Sequence, residues 1–172
     1  MIAASLAVAA PVLGGDARTT GAAAPPAAKL VAPASGPIPV AFVLTQGAVM
    51  IDFAGPWEVF QDVYLPSRGG SMDNQMPFQL YTVSDSRDPI RISGGMRIVP
   101  DYTFDDAPAP KVIVIPAQGG ETPKMLDWIR NAAPQSDLVM SVCTGAYVLA
   151  DTGLLAGKSA TTHHTSFRSF AM

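Results

Sequence analysis

The chain has 172 residues, 48% of them hydrophobic and 15% charged, with a formal net charge of −3. That length allows one domain with a sizeable core, and no Lys/Arg cluster offers the electrostatic footprint that nucleic-acid binding needs. One cysteine excludes an internal disulfide, no Cys/His spacing resembles a metal site, and no apolar run is long enough for an ordinary membrane-spanning helix.

Residues 1–37 differ from the rest. Residues 2–14 are a small-residue apolar run resembling the h-region of a secretory signal, followed by Gly15-Asp16-Ala17 as a possible cleavage site; nothing basic precedes the run. A signal there places the protein in the periplasm or outside the cell. An Ala-rich tail in its place leaves the protein cytoplasmic. Residues 19–37, rich in Ala, Pro and Gly, read as a flexible linker. The expected domain is 38–172. It holds all the basic residues but Arg18 and Lys29 and all the acidic ones but Asp16, a net charge of about −4.

Residues 38–44 form a near-continuous apolar run, expected as a strand buried on both faces of a parallel sheet. After a loop over 45–50, a helix starts at Ile51, with Pro56 in its first turn and Trp57 and Phe60 on the core side. Residues 66–76 read as a surface loop and 77–84 as a second strand. A small β-hairpin around Gly94-Gly95 is expected over 90–99, and loop over 101–110. The third core strand, 111–116, ends in Ala117-Gln118-Gly119-Gly120. Thr122 is a helix N-cap with Pro123 at the first helical position, and Met125, Leu126, Ile129 and Ala132 give that helix an apolar side. Residues 138–142 read as a buried strand, 145–154 as a helix, 158–162 as a further short strand and 165–172 as the start of a helix. Alternating strands and helices predict a doubly wound, mostly parallel α/β sheet with flanking helices. Ligands of such sheets sit at the carboxyl ends of the strands.

Four features fall at such ends: Asp52, Gly119-Gly120, Cys143 and His163. Cys143 ends a strand and faces the start of a helix, with small residues, Ser141 and Gly145, two positions to either side. That is the pattern of a strand–nucleophile–helix elbow, where bulkier side chains collide. Amides at a helix N-terminus favour an anion, either a thiolate or a developing oxyanion. A buried, inert thiol is the alternative. Asp52, in an apolar setting of Ile51, Phe53 and Ala54, is the candidate acid/base group; otherwise it is a helix N-cap. His163 is the candidate proton carrier or orienter, or a structural histidine. Gly119, Gly120 and the Thr144 amide are candidate oxyanion donors, and the Thr144 hydroxyl a substrate contact.

Jointly, the segments Asp52-Phe-Ala-Gly-Pro-Trp-Glu-Val-Phe60, Val112-Ile-Val-Ile-Pro116 with Gly119-Gly120, Ser141-Val-Cys-Thr-Gly-Ala146 and Gly153-Leu-Leu-Ala-Gly-Lys-Ser-Ala-Thr-Thr-His163 resemble the DJ-1/PfpI superfamily over residues 38–172. The Asp-x-x-Gly-Pro segment and the Cys-Thr-Gly elbow are similar to its isonitrile hydratase branch and to the amidase-like domains of AraC-type regulators. The resemblance implies a flavodoxin-like fold of the DJ-1/PfpI type, with a last strand and helices beyond Met172, and a homodimer. It implies Cys143, Asp52 and Thr144 as the catalytic set of a cysteine-dependent hydratase acting on a small carbon–nitrogen substrate, without cofactor or metal. The alternatives it carries are a non-catalytic ligand-sensing domain of an AraC-type regulator and a DJ-1-like redox or chaperone protein. The chain departs from the pattern where Ala117-Gln118 stands between Pro116 and the glycines, in relatives often Pro-Gly-Gly, where His164 replaces a frequent aromatic residue, and in its export-like N-terminus.

Overall fold

A computed structural model describes residues 31–170 of the chain. The signal-like run and most of the linker fall outside them. The last linker residues, 31–37, are exposed, and the Arg68 guanidinium donates to the carbonyls of Gly36 (3.0 Å) and Pro33 (2.8 Å).

Five parallel strands make the sheet: β1 (Ile38–Val43), β2 (Phe78–Ser84), β5 (Tyr102–Thr103), β6 (Val112–Ile115) and β7 (Leu138–Ser141), in the order β5-β2-β1-β6-β7. Strands β3 (Ile90–Arg91) and β4 (Arg97–Ile98) pair antiparallel as the expected separate hairpin. From β1 the chain steps outward to β2 and β5, then returns to the other side of β1 for β6 and β7. The loops after β1 and β6 therefore leave in opposite directions, and a crevice opens between them at the carboxyl end of the sheet.

The central strand shows why the sheet forms. Val40 to Leu44 are fully buried, and alternate side chains serve opposite faces. Ala41 and Val43 join Ile113, Ile115, Met125 and Ile129 in one core cluster; Val40, Phe42 and Leu44 join Phe53, Val112 and Val114 in the other, with Trp57 and Phe60 against it. The first cluster lies under helices α3 (Pro123–Ala132) and α4 (Gly145–Asp151), the second under α1 (Met50–Gln61). Short helices α2 (Met72–Gln75) and α5 (Phe167–Phe170) complete the described chain. No helix among the described residues is long and apolar enough to cross a membrane.

Thr122 caps α3 as expected, its Oγ1 accepting from the Met125 amide at 3.1 Å, with Pro123 in the first turn. Five expectations need correction. The loop expected over 66–76 contains α2, capped where Ser71 Oγ accepts from the Asn74 amide at 3.4 Å. Helix α1 starts at Met50, so Pro56 lies inside it rather than in its first turn. Tertiary contacts set that start: the Met50 amide donates to Ser93 Oγ at 2.8 Å and the Val49 amide to the Ala117 carbonyl at 2.8 Å. Pro56 has no N–H for the Asp52 carbonyl one turn earlier. The expected loop at 101–110 contains β5, anchored where Asp101 Oδ2 accepts from the Thr82 amide (2.8 Å) and hydroxyl (2.7 Å). The strand expected at 158–162 is not formed. Turns run through 152–157, and the Thr162 side chain, rather than its backbone, makes the tertiary contact. Strand β7 consequently lies at the sheet edge with Leu138 exposed, not buried on both faces.

Candidate active site

At Cys143 the backbone has φ 57°, the left-handed region, and no other non-glycine residue among those described does so. For a side-chain-bearing residue this conformation costs on the order of 1–3 kcal/mol and persists only where the surroundings impose it. The surroundings are visible two residues on. A Cβ at Gly145 would lie 2.2 Å from the Ile115 carbonyl oxygen and 2.7 Å from that of Pro116. Only glycine lets α4 begin so close to the end of β6, and that proximity forces the chain through a sharp turn at Cys143. The Val142 amide donates to the Ile115 carbonyl (2.9 Å), and the Gly145 amide closes the turn on the Val142 carbonyl (3.0 Å). Cys143 is partly exposed. Thr144 precedes α4 as its cap residue without making a side-chain cap bond, and its amide donates to no acceptor among the described residues.

Asp52 occupies the first turn of α1 and is only 7% exposed. It is not the N-cap, which is Val49. Its Oδ2 instead accepts from the Ala117 amide at 3.3 Å. The end of β6 thus has two neighbours. Ile115 and Pro116 pack their carbonyls on the cysteine elbow, and Ala117, next in the chain, binds the carboxylate.

Gly119 and Gly120 differ in what they can offer. The Gly119 amide donates to the Gln46 carbonyl (3.2 Å), while the Thr45 hydroxyl donates to the Gly119 carbonyl. Gly120 has φ +69° and its amide donates to no acceptor among the described residues. His163 is partly buried. Its ring packs against His164 at 4.2 Å between centroids, tilted by 45°, and its Nδ1 lies 2.9 Å from Thr165 Oγ1; no hydrogen bond joins it to Cys143 or Asp52. The neighbouring Thr162 hydroxyl donates to the Cys143 carbonyl at 3.1 Å and ties that segment to the elbow. Sequence reasoning missed Thr45, Gln46 and Thr162. All three act through contacts distant in the chain, and a lone Thr or Gln in a loop carries no signal.

Among the described residues no three His, Cys, Asp or Glu side chains converge as metal ligands. A cavity of about 640 Å³ is lined by Tyr147, Leu155, Lys158, Phe167 and Phe170 among others, and by none of the residues named above as candidates.

The family model described as DJ-1/PfpI matches residues 39–170. An isonitrile hydratase of Pseudomonas putida is 36% identical over 129 residues, covering 72% of this chain and 51% of the relative. A protein of Streptomyces lividans, described only as uncharacterized and lying in the cpoL 5' region, is 33% identical over 141 residues, covering 77% of this chain and 93% of the relative. The crystal structure of a THiJ/PfpI family protein from Pseudomonas syringae superposes with a TM-score of 0.60 at 25% identity, covering 73% of this chain and 50% of that one. The chain spans about half the length of the Pseudomonas putida and Pseudomonas syringae relatives.

Proposed function

The chain belongs to the DJ-1/PfpI family, and from that premise we propose that it is a cysteine-dependent hydratase that adds water to an isonitrile to give an N-substituted formamide. The observation that carries this reading is the strained turn at Cys143, pressed against one side of a strand end whose next residue, Ala117, binds the Asp52 carboxylate. The identity to an isonitrile hydratase supports the reaction class.

In this reading Cys143 attacks the terminal carbon of R–N≡C. The S–C bond forms as that carbon takes a proton from Asp52, giving a thioimidate, Cys–S–CH=N–R. Water then adds to the same carbon, giving a proton to Asp52. The nitrogen takes the remaining hydroxyl proton, the C–S bond breaks with its electron pair returning to sulfur, and R–NH–CHO leaves with Asp52 again protonated for the next turnover. The open amides of Thr144 and Gly120 are the donors suited to charge developing on the attacking oxygen. The proton work falls to Asp52 rather than His163, whose ring partners are Thr165 and His164.

The test is turnover of a small alkyl isonitrile, with formamide followed by chromatography. The wild-type chain should produce it. Asp52→Asn should be slower by about 10²–10⁴-fold, and Cys143→Ala should fall to background. A wild-type chain inert towards alkyl and aryl isonitriles alike refutes the reading.

A further inference from the structure

We propose that Gln118 is a positioning residue, a side-chain clamp that sets the loop carrying Gly119-Gly120 and with it the register of Ala117 on Asp52. The observation is its pair of hydrogen bonds across the crevice. Gln118 Oε1 accepts from the Thr45 amide at 2.8 Å, and Nε2 donates to the Val43 carbonyl at 3.1 Å. A primary amide presents one acceptor and two donors in one plane, as a peptide group does. At the point where β1 and the chain after β6 diverge, this side chain takes the place of the next rung of the sheet ladder. It holds the end of β1 where backbone pairing has stopped.

The clamp has consequences on either side of residue 118. Ala117 before it gives its amide to Asp52 and its carbonyl to the Val49 amide, which starts α1. Gly119 after it gives its amide to Gln46, and its carbonyl accepts from the Thr45 hydroxyl. These bonds align only if residue 118 is pinned, because Gly119 and Gly120 have no side chains to fix the loop themselves. An added Cβ would sit 3.6 Å from the Gln46 carbonyl oxygen at Gly119 and 3.5 Å from the Gln46 Cβ at Gly120. The two loops touch at ordinary contact distance and are joined by the Gly119–Gln46 backbone hydrogen bond. The Ala117-Gln118 pair, a departure from the Pro-Gly-Gly run, thus supplies one partner for the acid/base group and one clamp for the donor loop. Its bearing on turnover rests on the hydratase reading; its bearing on loop geometry does not.

The experiment compares wild type with Gln118→Met, which keeps the side-chain length and removes both hydrogen bonds. Gln118→Glu serves as a second variant, keeping the acceptor for Thr45 and setting a carboxylate oxygen against the Val43 carbonyl. Amide hydrogen exchange is read by nitrogen-15 NMR, and steady-state kinetics are run alongside on an alkyl isonitrile. The Ala117 and Gly119 amides should exchange on the order of tenfold faster in Gln118→Met, with the amides of β6 unchanged. In the kinetics, kcat should fall on the order of tenfold to a hundredfold while KM holds, the signature of misplaced groups rather than lost binding. Gln118→Glu should show both effects at least as strongly. Wild-type exchange at Ala117 and Gly119 in both variants overturns the proposal, as does equal acceleration of every sheet amide. An inert wild-type chain sinks the hydratase reading, yet the exchange data still decide on Gln118. Normal turnover with unchanged exchange sinks the clamp alone.

Discussion

Gly145→Ala is the sharpest perturbation the elbow offers. The added Cβ would stand 2.2 Å from the Ile115 carbonyl oxygen, where ordinary contact begins near 3.4 Å. Its neighbours are main-chain atoms of a central-sheet strand, so no side chain can rotate away. Helix α4 must retreat from β6 by about 1 Å, and a gap of about 0.5–1 Å forfeits a quarter to a half of each contact's dispersion energy. Val148 and Leu149, buried against the core that includes Ile113 and Ile115, are the side chains that retreat with it. Overpacking alone costs about 1–3 kcal/mol, and the loosened contacts bring the expected loss to about 3–4 kcal/mol. That is a large part of a typical stability of about 5–15 kcal/mol, and it lowers the melting temperature by roughly 10–15 °C for a domain of this size. Differential scanning calorimetry gives the melting shift, and urea titration monitored by circular dichroism gives the free energy. A melting temperature within about 2 °C of wild type would refute the close approach of α4 to β6, and with it the reason given for the strained turn.

Two further outcomes follow from the same geometry. Cys143→Gly should be at least as stable as Cys143→Ala, because glycine accepts φ 57° without the penalty that a Cβ brings there; a glycine variant less stable by about 1 kcal/mol, as glycine is in an ordinary helix, would contradict the strain. Asp106 accepts from the Thr103 amide and hydroxyl, both at 2.8 Å, and pairs with Arg87 at 2.6 Å. Those bonds, the backbone one first, hold its carboxyl down at about 2 against an ordinary 3.8. The folded value lies below the unfolded one, so this contribution to stability is present above about 3.8 and is lost as pH falls towards 2. Carbon-13 NMR titration should find Asp106 still ionised at pH 3, and a midpoint near 3.8 would contradict it.

The parts of the fold legible in the sequence are those whose signals are local. Strands β1 and β6 announce themselves as apolar runs, β2 by Phe78, Leu80, Tyr81 and Val83 among polar residues, and α3 by Thr122, Pro123 and a periodic apolar side. What the sequence hid was set by distant partners. The start of α1 depends on Ser93 Oγ and the Ala117 carbonyl, so Pro56 reads locally as a first-turn residue while lying inside the helix. Strand β5 is two residues long and owes its place to Asp101. The segment 158–162 has a polar, β-tolerant composition, yet pairing is a property of two edges and cannot be read from one. The candidate site divides in the same way. The small residue at Gly145 was readable as a steric demand of an elbow. That Asp52 would bind Ala117 instead of capping its own helix, and that the Gly119 amide would be spent on Gln46, depend on how two loops meet at the crevice.

In the proposed reaction Cys143 forms a covalent bond to the isonitrile carbon. Intact-protein mass spectrometry on the wild-type chain, acid-quenched during reaction with an alkyl isonitrile, is the decisive measurement. An adduct equal in mass to one substrate molecule should appear, map by peptide digestion to Cys143 and be absent from the Cys143→Ala variant. Formamide production by a Cys143→Ala chain at the wild-type rate would contradict it.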